Sequence, residues 1–148
     1  MNSRESRAFC ASFQETYGYD LYAYLVDAKR VLIQRAEKVY LFPALLLERF
    51  SSLPVQSAGM LLGEQLPDGF LPSQDWITRF GASCTSNVLK LDAQGSVKLL
   101  SGEPLIADIT LPPSLARYQI LLNEENWPLG CGKIISKGLK NLLPRRLL

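Results

Sequence analysis

Apolar positions in this chain recur first with helical spacing and later with the alternation of strands. Phe9, Phe13 and Tyr17 fall four residues apart with Cys10 beside them, which predicts an aromatic stripe along one helix face. Ser6 is the expected N-cap of that helix and Gly18 its left-handed stop. Leu21, Tyr24, Leu25 and Ala28 share a face and predict a second short helix over residues 19–28. Packing is the preferred reading of the stripe, and base stacking by Tyr17 or Tyr19 is the functional alternative.

The next runs are β-prone. Val31-Leu32-Ile33 and Val39-Tyr40-Leu41-Phe42, separated by Arg35-Ala36-Glu37-Lys38, read as a hairpin. Pro43 suits the first turn of a helix over residues 44–50, and Pro54 ends that region. Residues 55–66 are expected as a strand centred on Met60-Leu61-Leu62, with Gly59 and Gly63 marking twist or close backbone approach. Pro67-Asp68-Gly69 is a turn signal. Ser73 then caps a helix running to Phe80, stopped by Gly81.

Residues 88–91 predict a short strand, residues 97–100 a helix ending at Gly102, and residues 106–111 an extended run that Pro112-Pro113 cuts off. Tyr118-Gln119-Ile120-Leu121-Leu122 is a strong strand signal. After the polar turn Asn123-Glu124-Glu125-Asn126, residues 127–135 return as the second arm of a hairpin. Gly130 and Gly132 alternate in that arm, so one of its faces is bare, and a strand, a helix or a ligand backbone must approach it closely. Short strands interleaved with short helices, without strict alternation, predict an α+β fold. A small mixed β-barrel decorated by short helices, with a helical N-terminal segment, fits best.

The length of 148 residues suits one compact domain. Hydrophobic residues at 47% and charged residues at 20% exclude a disordered chain. No run approaches the ~18 apolar residues of a membrane span. Residues 1–7 lead into no apolar signal core, so a soluble cytoplasmic protein with no membrane partner is expected. Cys10, Cys84 and Cys131 are widely spaced and read as buried free thiols. The chain has no histidine, which removes Ser-His-Asp triads, Cys-His dyads and His-ligated metals. No metal site and no cofactor are expected. Asp68, Asp75, Asp92 and Asp108 are scattered among turns and element ends and read as caps and turn formers.

Net charge is only +2, but it is unevenly placed. From Lys133 to Leu148 there are five basic residues and no acidic one, whereas the rest carries 11 basic and 14 acidic side chains. Positive charge therefore gathers at one end of the chain.

These residues carry a resemblance. Trp127-Pro128-Leu129-Gly130-Cys131-Gly132-Lys133, then Gly138-Leu139-Lys140-Asn141, then Pro144-Arg145-Arg146-Leu147 resemble the ending of RsmF-type (Nol/Nop/Sun group) bacterial ribosomal-RNA cytosine methyltransferases. That ending has a Pro-Leu-Gly-aromatic-Gly-Lys strand, a Leu-Lys-Asn element and a Pro-basic close. Val39-Tyr40-Leu41-Phe42-Pro43, Ala58-Gly59-Met60-Leu61-Leu62-Gly63 and Leu99-Leu100-Ser101-Gly102-Glu103 match further family pieces in order. Phe9, Phe13 and Gly18 resemble the segment joining the catalytic domain to this module.

The resemblance implies a PUA-like RNA-binding domain over residues 29–148, with residues 1–28 as a helical segment packing on it. Two departures stand out. Cys131 occupies the family's aromatic position, and no glycine-rich S-adenosylmethionine loop or Pro-Cys or Thr-Cys-Ser motif is present; Ser83-Cys84-Thr85-Ser86 is a scrambled echo. The implied activity is therefore non-catalytic binding of RNA, ribosomal by family, beside a separate methyltransferase or ribosomal component.

Lys133, Lys137, Lys140, Arg145 and Arg146 are the expected phosphate contacts, with Gly130 and Gly132 letting the backbone approach. Trp127 reads either as a base-stacking ring or, preferably, as a buried hairpin residue. The competing class is a protein-interaction module that keeps the fold without binding RNA. A contiguous basic groove including Lys133 separates the first class from the second, which calls for a large apolar patch. An enzyme of another type would need two carboxylates converging in a cleft.

Overall fold

The computed structural model describes residues 1–50, 52, 59–107, 109 and 116–145. In chain order the elements are α1 (Ser3–Tyr17), α2 (Leu21–Asp27), β1 (Arg30–Arg35), β2 (Lys38–Pro43), α3 (Ala44–Arg49), β3 (Met60–Leu66) and β4 (Gly69–Pro72). There follow α4 (Gln74–Phe80), β5 (Val88–Lys90), α5 (Ala93–Leu100), β6 (Leu105–Ile106), β7 (Tyr118–Leu122), β8 (Pro128–Ile135) and β9 (Gly138–Asn141). The expected strand over residues 55–58, Pro54, Asp108, Pro112-Pro113 and Arg146 lie outside the described residues.

The helix ends follow from local chemistry. Helix α1 begins one turn earlier than expected because Asn2, not Ser6, caps it. The Asn2 side chain accepts the Glu5 N–H at 2.8 Å, and the Glu5 carboxylate takes the Asn2 N–H at 2.8 Å. This reciprocal pair satisfies two orphan donors at once. Gly18 ends the helix in the left-handed region at φ 65, as its position predicts. Ser73 caps α4 by accepting the Trp76 N–H at 3.1 Å, and Asp92 caps α5 through Gly95 at 2.6 Å.

The strands form two sheets. The first is an antiparallel meander, β1-β2-β3-β4; its last strand was not anticipated, because Phe70-Leu71-Pro72 is too short to show a period. The second has the order β5-β7-β8-β9-β6, with β5 parallel to β7 and the other pairs antiparallel. The α+β class is as expected. The strands do not form one closed ladder: among the described residues no backbone ladder links the two sheets, and side chains join them.

Strand register explains where the core sits. Ile120 lies opposite Cys131, and both face the first sheet, α1, α2 and α4. Leu121 pairs with Leu89 and Leu139 with Ile106 on the opposite face, beneath Leu99 of α5. The second sheet thus carries a cluster on each side, and all five residues of β7 are buried. The aromatic stripe of α1 packs, as preferred: Phe13 meets the fully buried Trp76 edge-on at 5.0 Å, and Tyr19 meets it at 5.4 Å. Tyr17, 1% exposed, donates its hydroxyl to Phe70 O at 2.8 Å and lies 3.3 Å from Tyr118 O, so one side chain of α1 reaches a strand of each sheet.

That placement yields a prediction. Tyr17→Phe keeps the ring and removes the hydroxyl, leaving a buried carbonyl short of a donor. Stability to urea should fall by about 1–2 kcal/mol, with an unchanged far-ultraviolet circular dichroism spectrum. A midpoint equal to that of the parent protein would show that the hydroxyl does not couple the sheets.

Candidate nucleic-acid interface

The hairpin of β8 and β9 organises the basic residues. Lys133 lies opposite Lys140 in the ladder, and Tyr118 lies opposite Lys133 on the other side, so the three share one face. Lys137 occupies the turn between β8 and β9 and is exposed. Arg117, just before β7, is also exposed, and its carbonyl accepts the Ile134 N–H at 2.8 Å. One end of the second sheet therefore gathers Arg117, Lys133, Lys137 and Lys140. The sequence pattern did not single out Arg117. Its only signal was its place directly before a strong strand, and the strand pairing, which sets it against Ile134, brings it to the same end of the sheet.

Among the described residues, one carboxylate forms an ion pair in this group. Asp68, in the turn between β3 and β4, holds Lys133 Nζ at 2.5 Å and accepts the Tyr118 hydroxyl at 2.8 Å. The Lys133 ammonium also lies 5.4 Å from the Tyr118 ring centroid. The three groups form a clasp from the first sheet to the second. The hydrogen bond from Lys133, and then that from Tyr118, hold the Asp68 carboxyl below its usual value, while Asp68 holds the Lys133 ammonium above its own. Among the described residues no ion pair engages Arg117, Lys137 or Lys140.

Other expected site residues take different places. Gly130 and Gly132 are buried, and their bare face is filled from within. A Cβ on Gly132 would stand 2.7 Å from Leu139, and one on Gly130, at φ 155, would stand 2.7 Å from Gln74 Oε1 and 2.9 Å from Leu143. Protein side chains, rather than a ligand backbone, make the close approach expected on this face in this structure. Past β9 the chain runs back along β8, with the Leu142 N–H donating to Cys131 O at 3.3 Å. Arg145 is therefore carried toward the Pro128 end of β8, away from Lys137. Trp127 stands near that end with 65% of its surface exposed, so the buried-hairpin reading is corrected; the fully buried tryptophan is Trp76.

The three thiols are buried and free. Burial pushes Cys10 up to about 11, and Cys84 and Cys131 up to about 12, which makes each a poor nucleophile at neutral pH. The segment around Cys84 serves the fold. The Thr85 and Ser86 N–H groups donate to Tyr17 O at 3.0 and 3.2 Å and close the end of α1. Asp68, Asp75 and Asp92 lie in a turn, in the first turn of α4 and at the cap of α5. No helix among the described residues is long and apolar enough to cross a membrane, and they hold no cluster of metal-ligating side chains.

Comparison with known proteins places this geometry in context. No family model matches the chain. It is similar to proteins named ribosomal RNA small subunit methyltransferase F. With that of Pectobacterium atrosepticum it is 31% identical over 117 residues, covering 79% of this chain and 23% of the relative. With that of Psychromonas ingrahamii it is 27% identical over 128 residues, 84% of this chain and 26% of the relative. With that of Shewanella loihica it is 24% identical over all 148 residues, 28% of the relative. The chain thus spans about a quarter of the length of the curated relatives it matches. The resemblance drawn from its motifs is borne out: the chain is related to a part of these bacterial proteins.

The clasp has a pH signature. Asp68 sits below its ordinary 3.8, so its contribution to stability is complete above that value and is lost as pH falls through the lowered one. Lys133 sits above its ordinary 10.5, so its contribution is complete below that value and is lost as pH rises through the raised one. Asp68→Asn should flatten the acid limb of a stability-against-pH curve measured by urea unfolding. An acid limb identical to that of the parent protein would sink the clasp.

Proposed function

From this kinship with a quarter-length part of the ribosomal RNA methyltransferase F proteins, we propose that the chain is a non-catalytic RNA-binding module of PUA-like type. Residues 29–148 form the module and residues 1–28 brace it. The observation that carries the proposal is the concentration of Arg117, Lys133, Lys137 and Lys140 at one end of the second sheet, where among the described residues only Asp68 forms an ion pair with them. Cations so placed displace counterions from a phosphate backbone, which supplies most sequence-independent affinity. Lys137, Lys140 and Arg117 make the direct phosphate contacts, and Lys133 exchanges Asp68 for phosphate at the rim. Arg145 and the exposed ring of Trp127 lie toward the other end of β8. This eight-residue strand spans about 26 Å at ~3.3 Å per residue, so the two ends suit a single RNA strand laid along the hairpin.

Ribosomal RNA is the proposed target because it appears in the relatives' name. A methyltransferase on a separate chain, or a ribosomal component, is the proposed working partner. No cofactor or metal enters this role.

One observation favours a second reading, a protein-interaction surface. Helix α3 buries none of its residues, and Leu45, Leu46, Leu47 and Phe50 are 57%, 39%, 40% and 47% exposed. Contiguous apolar surface of this kind suits a protein partner. It is separate from the cationic end, so the two are distinguishable by mutation.

The test uses the full chain and fluorescence anisotropy with a single-stranded RNA of mixed sequence. The pair Lys137→Glu and Lys140→Glu leaves the clasp intact. It should weaken binding roughly tenfold or more, and the slope of log K against log salt should shrink by about 0.7 for each phosphate no longer neutralised. Affinity and slope both equal to those of the parent protein would overturn the RNA reading, and loss of a protein partner on Leu45→Glu would then carry the second.

A further inference from the structure

Resting on the RNA-binding reading, we infer that a cleft between α1 and the first sheet is a seat for one unpaired nucleobase. The cleft encloses about 470 Å³, within the ~300–1,000 Å³ of small-molecule sites. Its apolar wall is the half-buried pair Phe9 and Phe70, whose ring centroids lie 5.4 Å apart at 76°. Such rings offer a face to any base, because every base has a π-surface to stack.

The opposite rim is polar in a specific way. Gln34 Nε2 donates to Gln65 Oε1 at 3.0 Å and to Ala36 O at 3.2 Å. Those two bonds use both hydrogens of the Gln34 amide and one acceptor site of Gln65. Gln34 Oε1 remains as an acceptor and the Gln65 amide nitrogen as a double donor. A free donor and a free acceptor on one rim can pair with the edge of a base. The β1–β2 turn holds the Gln34 amide through Ala36 O and the Gln65 backbone through Glu37 O, which its N–H reaches at 2.7 Å.

Charge decides which part of a nucleotide fits. No Lys or Arg lines the cleft among the described residues, and Glu5 does, so a phosphate is repelled there while an uncharged base is not. Phosphate has its own place close by. Gly69, on the cleft wall, follows Asp68, and a Cβ on it would stand 3.5 Å from the Tyr118 ring that Lys133 overlies. A strand held by Lys133 and Lys140 therefore passes the mouth of the cleft, and one base turns in between Phe9 and the two amides.

The experiment uses the full chain, the same mixed-sequence single-stranded RNA, and a 4-thiouridine version for photo-crosslinking with peptide mapping. The double substitution Gln34→Leu and Gln65→Leu is placed at exposed positions, and a thermal unfolding midpoint checks that it folds. Affinity should fall roughly fivefold or more, the lower bound for removing a paired amide–base interaction. The salt slope should stay unchanged, because every phosphate keeps its cation. Crosslinks should map to peptides containing Phe9 and Phe70. Parent-like affinity in the double variant, with crosslinks elsewhere, overturns the base seat and leaves the RNA reading standing. Absence of RNA binding by the parent protein overturns both.

Discussion

Strand β7 is buried on both faces, and most of the architecture follows from that constraint. A strand with no solvent face can carry only apolar or internally satisfied side chains along its length. Gln119 is the polar exception: it is fully buried, and its amide nitrogen donates to Asn87 Oδ1 and Ala116 O while its Oε1 has no hydrogen-bond partner among the described residues. Charge on the neighbouring strands is displaced to where β7 ends. Arg117 stands before its first residue, and Lys133 faces its first side chain, Tyr118.

The same constraint gives the glycines of β8 their meaning. Covering the far face of the sheet requires Leu139 and Leu143 to come in close, and only a strand without side chains at positions 130 and 132 leaves room. A motif that resembles a phosphate seat in sequence is thus a packing device in the structure. The nucleic-acid reading moves from the bare face to the charged end, where three exposed cations surround one satisfied pair.

The two sheets share no ladder among the described residues; a common core, in which Ile120 and Cys131 cluster with Leu32, Leu41 and Leu62, holds them together, and a few polar bonds at their margin add to it. Tyr17 reaches carbonyls in both sheets, and Asp68 carries a hydrogen bond and an ion pair from the first sheet to the second. The cationic end and the aromatic cleft both adjoin this seam. A ligand that engages Lys133 competes with Asp68, so binding and the joint between the sheets are linked through one carboxylate.

Much of the fold was legible in local pattern. The stripe of Phe9, Phe13 and Tyr17, the stop at Gly18, the cap at Ser73 and the strand at 118–122 each rest on interactions within a few residues. Short-range geometry leaves a period or a cap that can be read directly. The motif resemblance was legible for the same reason, since it runs along the chain. What local pattern did not decide lies across the chain: how the strands divide into two sheets, the exposure of Trp127, and which neighbour fills the face that Gly130 and Gly132 leave bare. The place of Arg145 is likewise set by the chain doubling back along β8. Composition and periodicity alone determined an α+β domain with its positive charge toward one terminus. Which lysines meet, that Arg117 joins them and that Asp68 answers Lys133 were decided only by tertiary structure, because strand pairing brings together residues with no local code for one another.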